Sequence, residues 1–397
     1  MVSSRVATSL QRSSRNISDN TFTAMESGQL ELKIAFSMLR GCDADVARAM
    51  EGAGMELDEF FSYDKQRLSE ALGASPRSPF IEQMNRDEAR FKAREELAFV
   101  ERHRIRAHFL LDDSYPWKLR EAKDAPLVVY QLGETDLNAE RTVAVVGTRR
   151  PSSRGIELTG RMVGDLAVYL PGTVIASGLA YGIDSAAHTA ALDTGLPTVA
   201  VLAHGLQMIY PAQHRDLARR ILHSGGSLLS EYRSGDIPYR QRFLERNRIV
   251  AGMSDATVVV ESPVKGGAMS TANIAFSYSR EVLAVPGRPS DETSAGCNLL
   301  IRRQKATLVT CAGDLMEAMG WTPEGVGMKM SQRNLFPELD GECRTVYDAL
   351  RFSGEQMGVD ELHVKTQLPV ARVMSALGEL EFEGIVARNP GNRYSLA

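Results

Sequence analysis

The middle of the chain alternates short apolar, β-branched runs with longer stretches of helical periodicity. Between about residues 105 and 320 these runs read TVAVVG, TVIASG, PTVAVLA, SLLSE, ATVVVE, EVLAVPG and TLVTC. Buried parallel strands give continuous apolar runs of this kind, and right-handed crossovers place helices between them. The pattern predicts an α/β domain over 101–322, a doubly wound, Rossmann-like parallel sheet whose ligand crevice lies at the carboxyl ends of the strands.

Two regions of different periodicity flank this sheet. From 29 to 100 the apolar residues recur at helical spacing, as in LKIAFSML and RLSEALG, and glycines separate the pieces. We expect a small N-terminal helical domain there, either of helix-hairpin-helix or SAM-like type or a structural cap without a ligand. After a polar linker at 323–339, residues 340–397 offer three helical segments and two β-prone pieces around NPGN, a strong turn signal. This region is predicted to form a C-terminal winged-helix domain.

The presumed third helix of the winged-helix domain carries little positive charge. Arg372 is its one basic residue, and Glu379, Glu381 and Glu383 lie near its end. A helix that reads DNA contacts phosphates, so this pattern favours a protein-contact or regulatory role.

The overall composition is that of an ordinary globular protein. The 397 residues are 43% hydrophobic and 24% charged, with a net charge of −4, so affinity for nucleic acid or lipid has to come from a local patch. The four cysteines, Cys42, Cys297, Cys311 and Cys343, lack the close spacing of a zinc site or a redox dithiol. We expect free thiols in a cytoplasmic protein that holds no metal and no cofactor.

Neither residues 1–28 nor any apolar run in the sequence gives a sign of membrane targeting. Residues 1–28 are rich in Ser, Thr and Asn and lack the apolar core of a signal peptide. We interpret them as a disordered leader. No run in the sequence approaches the ~20 apolar residues of a membrane span.

The first strand-to-helix turn, VAVVGTRRPSSRG, gathers positive charge. It keeps only the first glycine of the Gly-x-Gly-x-x-Gly dinucleotide fingerprint. Arg149, Arg150 and Arg154 instead surround the start of the next helix, where the helix dipole also favours an anion. The alternative is that these are solvated loop arginines. The predicted phosphate-binding residues of this turn are Gly147, Thr148, Arg149 and Arg150.

The second turn reads SGLAYGIDSAAH and starts at Ser177. Ser177 and Gly178 end a strand and are predicted to bind phosphate, and Gly182 lets the backbone approach closely. Asp184 is placed to cap the following helix. Asp184 and His188 share one helical face, but no nucleophile lies nearby in sequence. Capping and local hydrogen bonding therefore explain them better than acid–base catalysis.

The densest positive cluster is PYRQRFLERNRIVAG, which starts at Pro238. Four arginines oppose one glutamate there, and Tyr239 and Phe243 lie among them. Arginines that contact phosphates, interleaved with aromatic rings that stack on bases, suit a single-stranded nucleic acid. A solvated polar face is the alternative. The predicted contacts from this segment are Arg240, Arg242, Asn247 and Arg248.

A third glycine turn, ESPVKGGAMSTANIAF, also follows a strand and opens a helix. Lys265, Gly266 and Gly267 are its predicted phosphate-binding residues. The segment lacks the Gly-Lys-Ser/Thr of a Walker A loop, which argues against ATP hydrolysis. Three such turns meet at one edge of one sheet, and several adjacent phosphate sites fit a polymer better than a mononucleotide. The sequence offers no metal-ligand spacing, nucleophile elbow or recognisable carboxylate pair for catalysis.

These segments together resemble the bacterial DNA-processing protein A (DprA/Smf) family. The similarity runs from YPWKL to MGW, between residues 115 and 321, through VGTRRPSSRG, SGLAYGIDSAAH, AVLAHGLQMIYPAQH, FLERNRIVAGMSDATVVVES, KGGAMSTA, AVPGRP and SAGCNLLI. The resemblance implies a Rossmann-like core that binds single-stranded DNA, usually as a homodimer, and helps to load the recombinase RecA during natural transformation. Carried over by position, its phosphate contacts are Gly147, Arg149, Ser177, Gly178, Arg240, Arg242, Arg248 and Lys265 to Gly267.

The chain departs from the family pattern at three places. The common Gly-Ser-Arg is here Gly147-Thr148-Arg149, with Thr148 in place of the serine. After the phenylalanine of the arginine-rich segment, Leu244 stands where the family often has a proline. The third turn has Lys265-Gly266-Gly267-Ala268 in place of Arg-Ser-Gly-Ser, which shifts phosphate contacts toward backbone N–H groups and the lysine.

Two hypotheses for function arise. The first is a non-catalytic, single-stranded DNA-binding recombination mediator that protects incoming DNA and loads RecA. The second is a Rossmann-type nucleotide hydrolase or phosphoribohydrolase that acts on a nucleoside monophosphate. Such an enzyme needs a carboxylate near the sugar, and Glu261 is the best candidate; otherwise Glu261 is a structural partner for a loop arginine. A pure protein scaffold would leave the clustered arginines without a purpose.

Overall fold

A computed structural model describes the protein over residues 27–82, 85–323, 341–353, 356–382, 385–389 and 393–396. The chain divides into two compact units, Met1–Val326 and Gly327–Ala397. Nearly all of the expected leader at 1–28 and linker at 323–339 lies outside the described residues. The remaining predicted domain boundaries stay predictions.

Among the described residues, six helices precede the sheet. They are α1 over 27–38, α2 (Ala44–Gly52), α3 (Leu57–Ser62), α4 (Lys65–Ala71), α5 (Pro79–Glu82) and α6 (Arg86–Arg102). Side-chain caps start several of them: Asp43 accepts hydrogen bonds from two backbone N–H groups of α2, and Asn85 accepts one from α6. The Phe36 ring packs edge-to-face on Phe60 at 5.0 Å and on Phe109 of the sheet at 6.0 Å. The N-terminal helices therefore share a hydrophobic core with one face of the sheet.

The first unit is built on a nine-stranded sheet of order β1-β2-β6-β5-β4-β3-β7-β8-β9. Its strands are β1 (Arg106–Phe109), β2 (Val128–Gly133), β3 (Thr142–Val146), β4 (Val174–Ser177), β5 (Thr198–Val201), β6 (Ser227–Ser230), β7 (Ala256–Val259), β8 (Glu281–Ala284) and β9 (Thr307–Leu308). The seven strands from β3 to β9 are parallel to one another in the sheet. Strands β1 and β2 extend the β6 edge in antiparallel pairing.

Helices cover both faces of the parallel strands. They are α7 (Trp117–Arg120), α8 (Ser153–Tyr169), α9 (Ile183–Thr194), α10 (Arg215–His223), α11 (Arg240–Gly252), α12 (Gly267–Ser277), α13 (Ala295–Arg302) and α14 (Ala312–Met319). Val143 and Val145 of β3 enter the core on one face, and Ala144 and Val146 enter the core on the other. Burial on both faces explains why the strands read as unbroken apolar runs. The predicted doubly wound α/β fold is confirmed.

The strand order reverses its direction between β3 and β7. From β3 the chain proceeds through β4, β5 and β6 on one side, and then returns to β7, β8 and β9 on the other. In open α/β sheets such a reversal opens a crevice at the carboxyl ends of the two central strands, because their loops diverge. This crevice is where the first and third glycine turns of the sequence lie.

The second unit is a separate small domain. It contains α15 (Gly341–Ser353), α16 (Val359–Thr366) and α17 (Val370–Phe382), with a sheet of β10 (Met357–Gly358), β12 (Arg393–Leu396) and β11 (Val386–Asn389). Apolar residues of the helices and strands form its own core, including Val346, Leu362, Val373 and Leu377. The predicted winged-helix fold is confirmed, although the turn at 390–392 lies outside the described residues. Arg372 pairs with Glu342 at 3.6 Å.

Two expectations on the chain as a whole are addressed by the described residues. Cys42, Cys297 and Cys311 are free cysteines. None of the helices described is both long enough and apolar enough to pass through a lipid bilayer.

Candidate nucleic-acid interface

A groove of about 730 Å³ opens at the carboxyl ends of β3 and β7. The turns after β3, β4 and β7 and the first turns of α11 form its walls. We call it the switch-point groove. Nine of the thirteen predicted site residues line it: Gly147, Thr148, Arg149, Gly178, Arg240, Asn247, Lys265, Gly266 and Gly267.

Main-chain hydrogen bonds hold the three turns together. The backbone N–H of Thr148 donates to the Glu261 carbonyl oxygen at 2.7 Å, and the Thr148 carbonyl accepts from the Ile183 N–H at 3.2 Å. This close approach requires glycine at two positions. A Cβ on Gly147 would lie 2.5 Å from the Ile183 side chain, and one on Gly182, where φ is +85°, would lie 2.2 Å from the Thr148 carbonyl oxygen. The groove is therefore shaped by backbone.

The walls of the groove carry exposed cations. Arg149, Arg240 and Lys265 are all solvent-exposed, and within the described residues none of the three forms an ion pair. The Arg149 guanidinium lies 5.6 Å from the centre of the Phe243 ring. Helix α12 also starts here, so its N-terminal dipole adds to the positive potential. An anion is the favoured occupant.

Aromatic rings lie between these cations. Phe243 and Tyr239 come from the arginine-rich segment, and Tyr210 comes from the loop after β5. The rings of Tyr210 and Phe243 are 5.8 Å apart, and about half of the surface of Tyr210 and of Tyr239 is exposed. Sequence reasoning did not single out Tyr210, because the loop that carries it, between β5 and α10, contains no lysine or arginine. Such rings offer flat apolar surfaces on which bases stack.

A buried polar layer lies directly beneath the groove. Arg246 is 4% exposed, and its Nη1 donates to the carbonyl oxygens of Gly178, at 2.6 Å, and of Val201. A Cβ on Gly178 would lie 2.4 Å from this guanidinium, so only glycine fits there. Asp184 accepts from the Gly178 N–H at 3.2 Å and the Ala180 N–H at 3.4 Å. These side chains bind backbone and shape the second turn.

Asp184 and His188 are placed differently from one another. The residue that caps α9 is Gly182, and the carboxylate of Asp184 holds the preceding turn, so the predicted capping role of Asp184 is wrong. The physical reason is that Asp184 is buried within the first turn of α9. From there its side chain accepts hydrogen bonds from backbone N–H groups of the preceding turn and not from those of the helix. His188 bonds to Thr198 through Nδ1 at 2.7 Å, as expected for local hydrogen bonding. Burial lowers the pKa of His188 to about 3, with help from the charges of His214 and Arg246.

Arg242 and Arg248 do not line the switch-point groove, contrary to expectation. Arg242 pairs with Asp236 at 2.6 Å and lies 4.7 Å from the centre of the Tyr232 ring. Arg248 pairs with Glu231 at 2.5 Å, and its side chain is only 18% exposed. Both guanidinium groups are held by carboxylates of the protein, and their predicted contacts with phosphate stay predictions.

The helical period explains this separation. At 100° per residue, Asn247, Phe243 and Leu244 lie on the same face of α11 as Arg240, and all four line the groove. Arg242 lies about 200° and Arg248 about 80° away from Arg240 around the helix axis. A run of arginines in the sequence is thus divided among different surroundings.

The two remaining predicted residues lie at the margins of the groove. Ser177 is fully buried, and its hydroxyl donates to the Val145 carbonyl oxygen at 2.7 Å, which joins β4 to β3. Its side chain is therefore structural. Arg150 is exposed and lines a neighbouring groove together with Arg149.

Glu261 has a third role that neither interpretation of the sequence included. Its carboxylate accepts hydrogen bonds from the backbone N–H of Ser152 at 2.9 Å and from the Ser152 hydroxyl at 2.5 Å. Ser152 in turn caps α8 by accepting from the Gly155 N–H. Glu261 thus ties the third turn to the start of α8. Across the described ranges, no three His, Cys, Asp or Glu side chains are grouped to hold a metal ion.

Comparisons with known proteins agree on one family. The sequence profile for "DNA recombination-mediator protein A" matches residues 106–320, and that for the "DprA winged helix domain" matches residues 334–392. A putative DNA processing protein DprA of Mycobacterium tuberculosis is 40% identical over 69% of this chain and 70% of its own length. Protein Smf of Escherichia coli is 35% identical over 73% and 77%. The crystal structure of DNA processing protein A from Streptococcus pneumoniae has a TM-score of 0.59 and 32% identity, covering 72% of this chain and 95% of that one.

Proposed function

Because the chain belongs to the DNA recombination-mediator protein A (DprA/Smf) family, we propose that it binds single-stranded DNA in the switch-point groove. The bound strand is protected and passed to the recombinase RecA, as in natural transformation. The protein acts without catalysis, in the cytoplasm and as a homodimer.

One observation carries the proposal for the groove. Arg149, Arg240 and Lys265 project from three different chain segments into a single groove, and within the described residues none of them is neutralised by an ion pair. Positive groups at separate points along a groove suit a chain of phosphates, since each cation meets a different phosphate. The exposed rings of Tyr210 and Tyr239 give the bases a surface without reading their edges. Binding is accordingly expected to be independent of base sequence.

The experiment compares the double variant Arg149→Ala/Arg240→Ala with wild type in fluorescence-polarisation titrations of a labelled oligothymidine at several salt concentrations. We expect the affinity to fall at least about tenfold at low salt, and the slope of log K against log salt to flatten by ~1.4, since each lost contact with a single strand removes ~0.7.

The matched control is Arg102→Ala/Arg303→Ala. Both residues are exposed, and neither lines the groove, so this control removes the same charge at other places. If the groove variant and the control bound the oligonucleotide equally, the groove would not be the DNA site.

Delivery to RecA is tested separately. The protein is added to single-stranded DNA that is covered by a single-strand binding protein, and RecA filament growth is followed by DNA-dependent ATP hydrolysis. We expect wild type to shorten the lag and the groove double variant to leave it unchanged. Light scattering of the free protein tests the homodimer, and a mass of one chain would contradict it.

The rival function, hydrolysis of a nucleoside monophosphate, requires a carboxylate next to the sugar. Glu261 is 8% exposed and engaged on both oxygens by Ser152, which supports the non-catalytic role. Incubation with nucleoside monophosphates followed by chromatography checks this directly. Release of free base above that of a Glu261→Gln variant would establish the enzyme instead.

A further inference from the structure

A second groove, of about 990 Å³, adjoins the switch-point groove. It runs between the N-terminal half of α8 and the whole length of α9. We call it the helix groove and define it by Arg149, Arg150, Ile156, Gly160, Tyr181 and Ala186. Arg149 lines both grooves, so the two surfaces are continuous.

The mouth of the helix groove is positive. Arg149 and Arg150 are exposed, and among the described residues neither belongs to an ion pair. Helices α8 and α9 both begin beside this mouth, and they are 17 and 12 residues long. Their dipoles add to the two guanidinium charges, so an anionic group is favoured at the point where the two grooves join.

The interior of the helix groove is mainly apolar. Gly160, Ala186 and Ala190 are small and leave space between the helices. Ile156 and Tyr181 stand beside this space and are 50% and 42% exposed. The Tyr181 hydroxyl donates to Gln213 Oε1 at 2.7 Å, and its ring lies 4.8 Å from that of His214, so the ring is held in place.

The carboxylate at the far end of the groove is already neutralised. Asp193 pairs with Arg220 at 2.9 Å. An occupant with an anionic group at the mouth therefore meets no uncompensated carboxylate from Asp193 farther along.

From these features we infer that the helix groove is a second subsite for the same DNA strand: a phosphate lies between Arg149 and Arg150, and the adjoining base packs against Ile156 and Tyr181. This inference rests on the proposed function. A nucleotide combines the two properties that the groove selects, a negative group at one end and a flat apolar ring at the other. Continuity through Arg149 makes the next nucleotide of the bound strand the occupant, in preference to a free mononucleotide.

The test fills the helix groove without disturbing the fold. Gly160 lies within α8, and a Cβ placed on it would meet nothing within 4 Å. Gly160→Leu therefore adds a side chain in open space and also raises helix propensity. The matched control is Val168→Phe, which adds apolar bulk on the same helix at an exposed position outside the groove.

Oligothymidines of increasing length, from about 4 to 16 nucleotides, span the site sizes of single-strand binding domains. With wild type and Val168→Phe, we expect affinity to rise with length until both grooves are occupied. With Gly160→Leu, the shortest oligonucleotides that bind should keep their wild-type affinity, while longer ones lose about fivefold or more, the effect of one lost base contact. Tyr181→Ala should give the same length-dependent loss.

Three results would overturn the inference. One is an unchanged length series in Gly160→Leu, and another is an equal loss at every length. The third is a change of the oligomeric state of Gly160→Leu in light scattering, which would show that a second copy of the chain fills the groove. All three are distinct from failure of the proposed function, in which wild type would bind no oligothymidine of any length.

Discussion

Helix α11 supplies both an exposed cation of the switch-point groove and a buried cation of the layer beneath it. The surroundings of these two cations are opposite. Arg240 at the start of α11 is exposed and forms no ion pair among the described residues. Arg246, six positions later, is buried and donates to two backbone carbonyls. The comparison teaches that positive charge in a sequence segment does not measure positive charge available to a ligand. The surroundings of each guanidinium decide whether it stabilises the fold or remains open to an anion.

The sharpest way to break this comparison is to remove the buried arginine. In Arg246→Ala the carbonyls of Gly178 and Val201 lose their donor, and the Asp184 carboxylate loses its nearest compensating charge. We expect the free energy of unfolding to fall by about 4 kcal/mol, the range for breaking a buried charged network. Urea denaturation followed by circular dichroism measures it. Arg102→Ala is the exposed control, and a loss as small as in that control would place Arg246 among the surface cations.

The pH dependence of stability tests the same buried layer. The folded pKa of His188 is about 3, against an ordinary value of 6.5. Below pH 6.5 the unfolded chain therefore binds a proton at His188 that the folded protein does not bind. The contribution of neutral His188 to the free energy of unfolding is complete above pH 6.5 and falls as the pH is lowered. Between pH 6.5 and 4 the loss is about 3 kcal/mol. Urea denaturation of wild type and His188→Gln over this range should show a steeper decline in wild type, and parallel curves would refute it.

The ion pair of Arg248 gives a further test of whether a cation stabilises the fold or is available to a ligand. Arg248→Ala leaves Glu231 in a largely buried position without its partner, so we expect the free energy of unfolding to fall by about 2 kcal/mol. In the double variant with Glu231→Gln the loss should be smaller, because no charge remains to be compensated. The salt dependence of oligothymidine binding should keep its wild-type slope in Arg248→Ala. A flatter slope would return Arg248 to the group of phosphate contacts.

The smallest effect is expected from Arg240 alone. Arg240→Ala should leave the urea midpoint within error, because the side chain is exposed and holds no carboxylate of the described chain. Oligothymidine affinity should fall about three- to fivefold, with a salt slope flatter by ~0.7. Polarisation titrations at two salt concentrations measure both quantities. A loss of stability with unchanged binding would reverse the roles of Arg240 and Arg246.

Much of the fold could be predicted from periodicity. Runs such as TVAVV are apolar at every position because alternate side chains enter the two cores. The antiparallel strands at the edge were not foreseen: β1 reads RAHF, with polar and apolar residues mixed, and within the described part of the chain one side of it has no neighbouring strand. Propensity alone does not reveal a strand whose main partner is a distant segment.

The candidate site was predictable in its turns and less so in its side chains. Glycines and cations that occur together after a strand located the positions of Gly147 and Lys265, since the ends of parallel strands meet at one edge. The partners of Arg242 and Arg248, Asp236 and Glu231, lie six and seventeen positions away. The helical period gives the angles between the arginines of α11. Which of them meets a carboxylate also depends on how α11 is oriented against the sheet and on packing across the sheet, and neither is contained in a local pattern.

The double attachment of Thr148 has a consequence for how the groove responds to change. Both its N–H and its carbonyl are used to join neighbouring turns, at Glu261 and Ile183. The distances between the proposed anion-binding positions are therefore fixed when the chain folds. Binding of a DNA strand then requires little additional ordering of these loops. It also means that any one surface cation can be replaced by another basic residue while the intervals between binding positions stay constant.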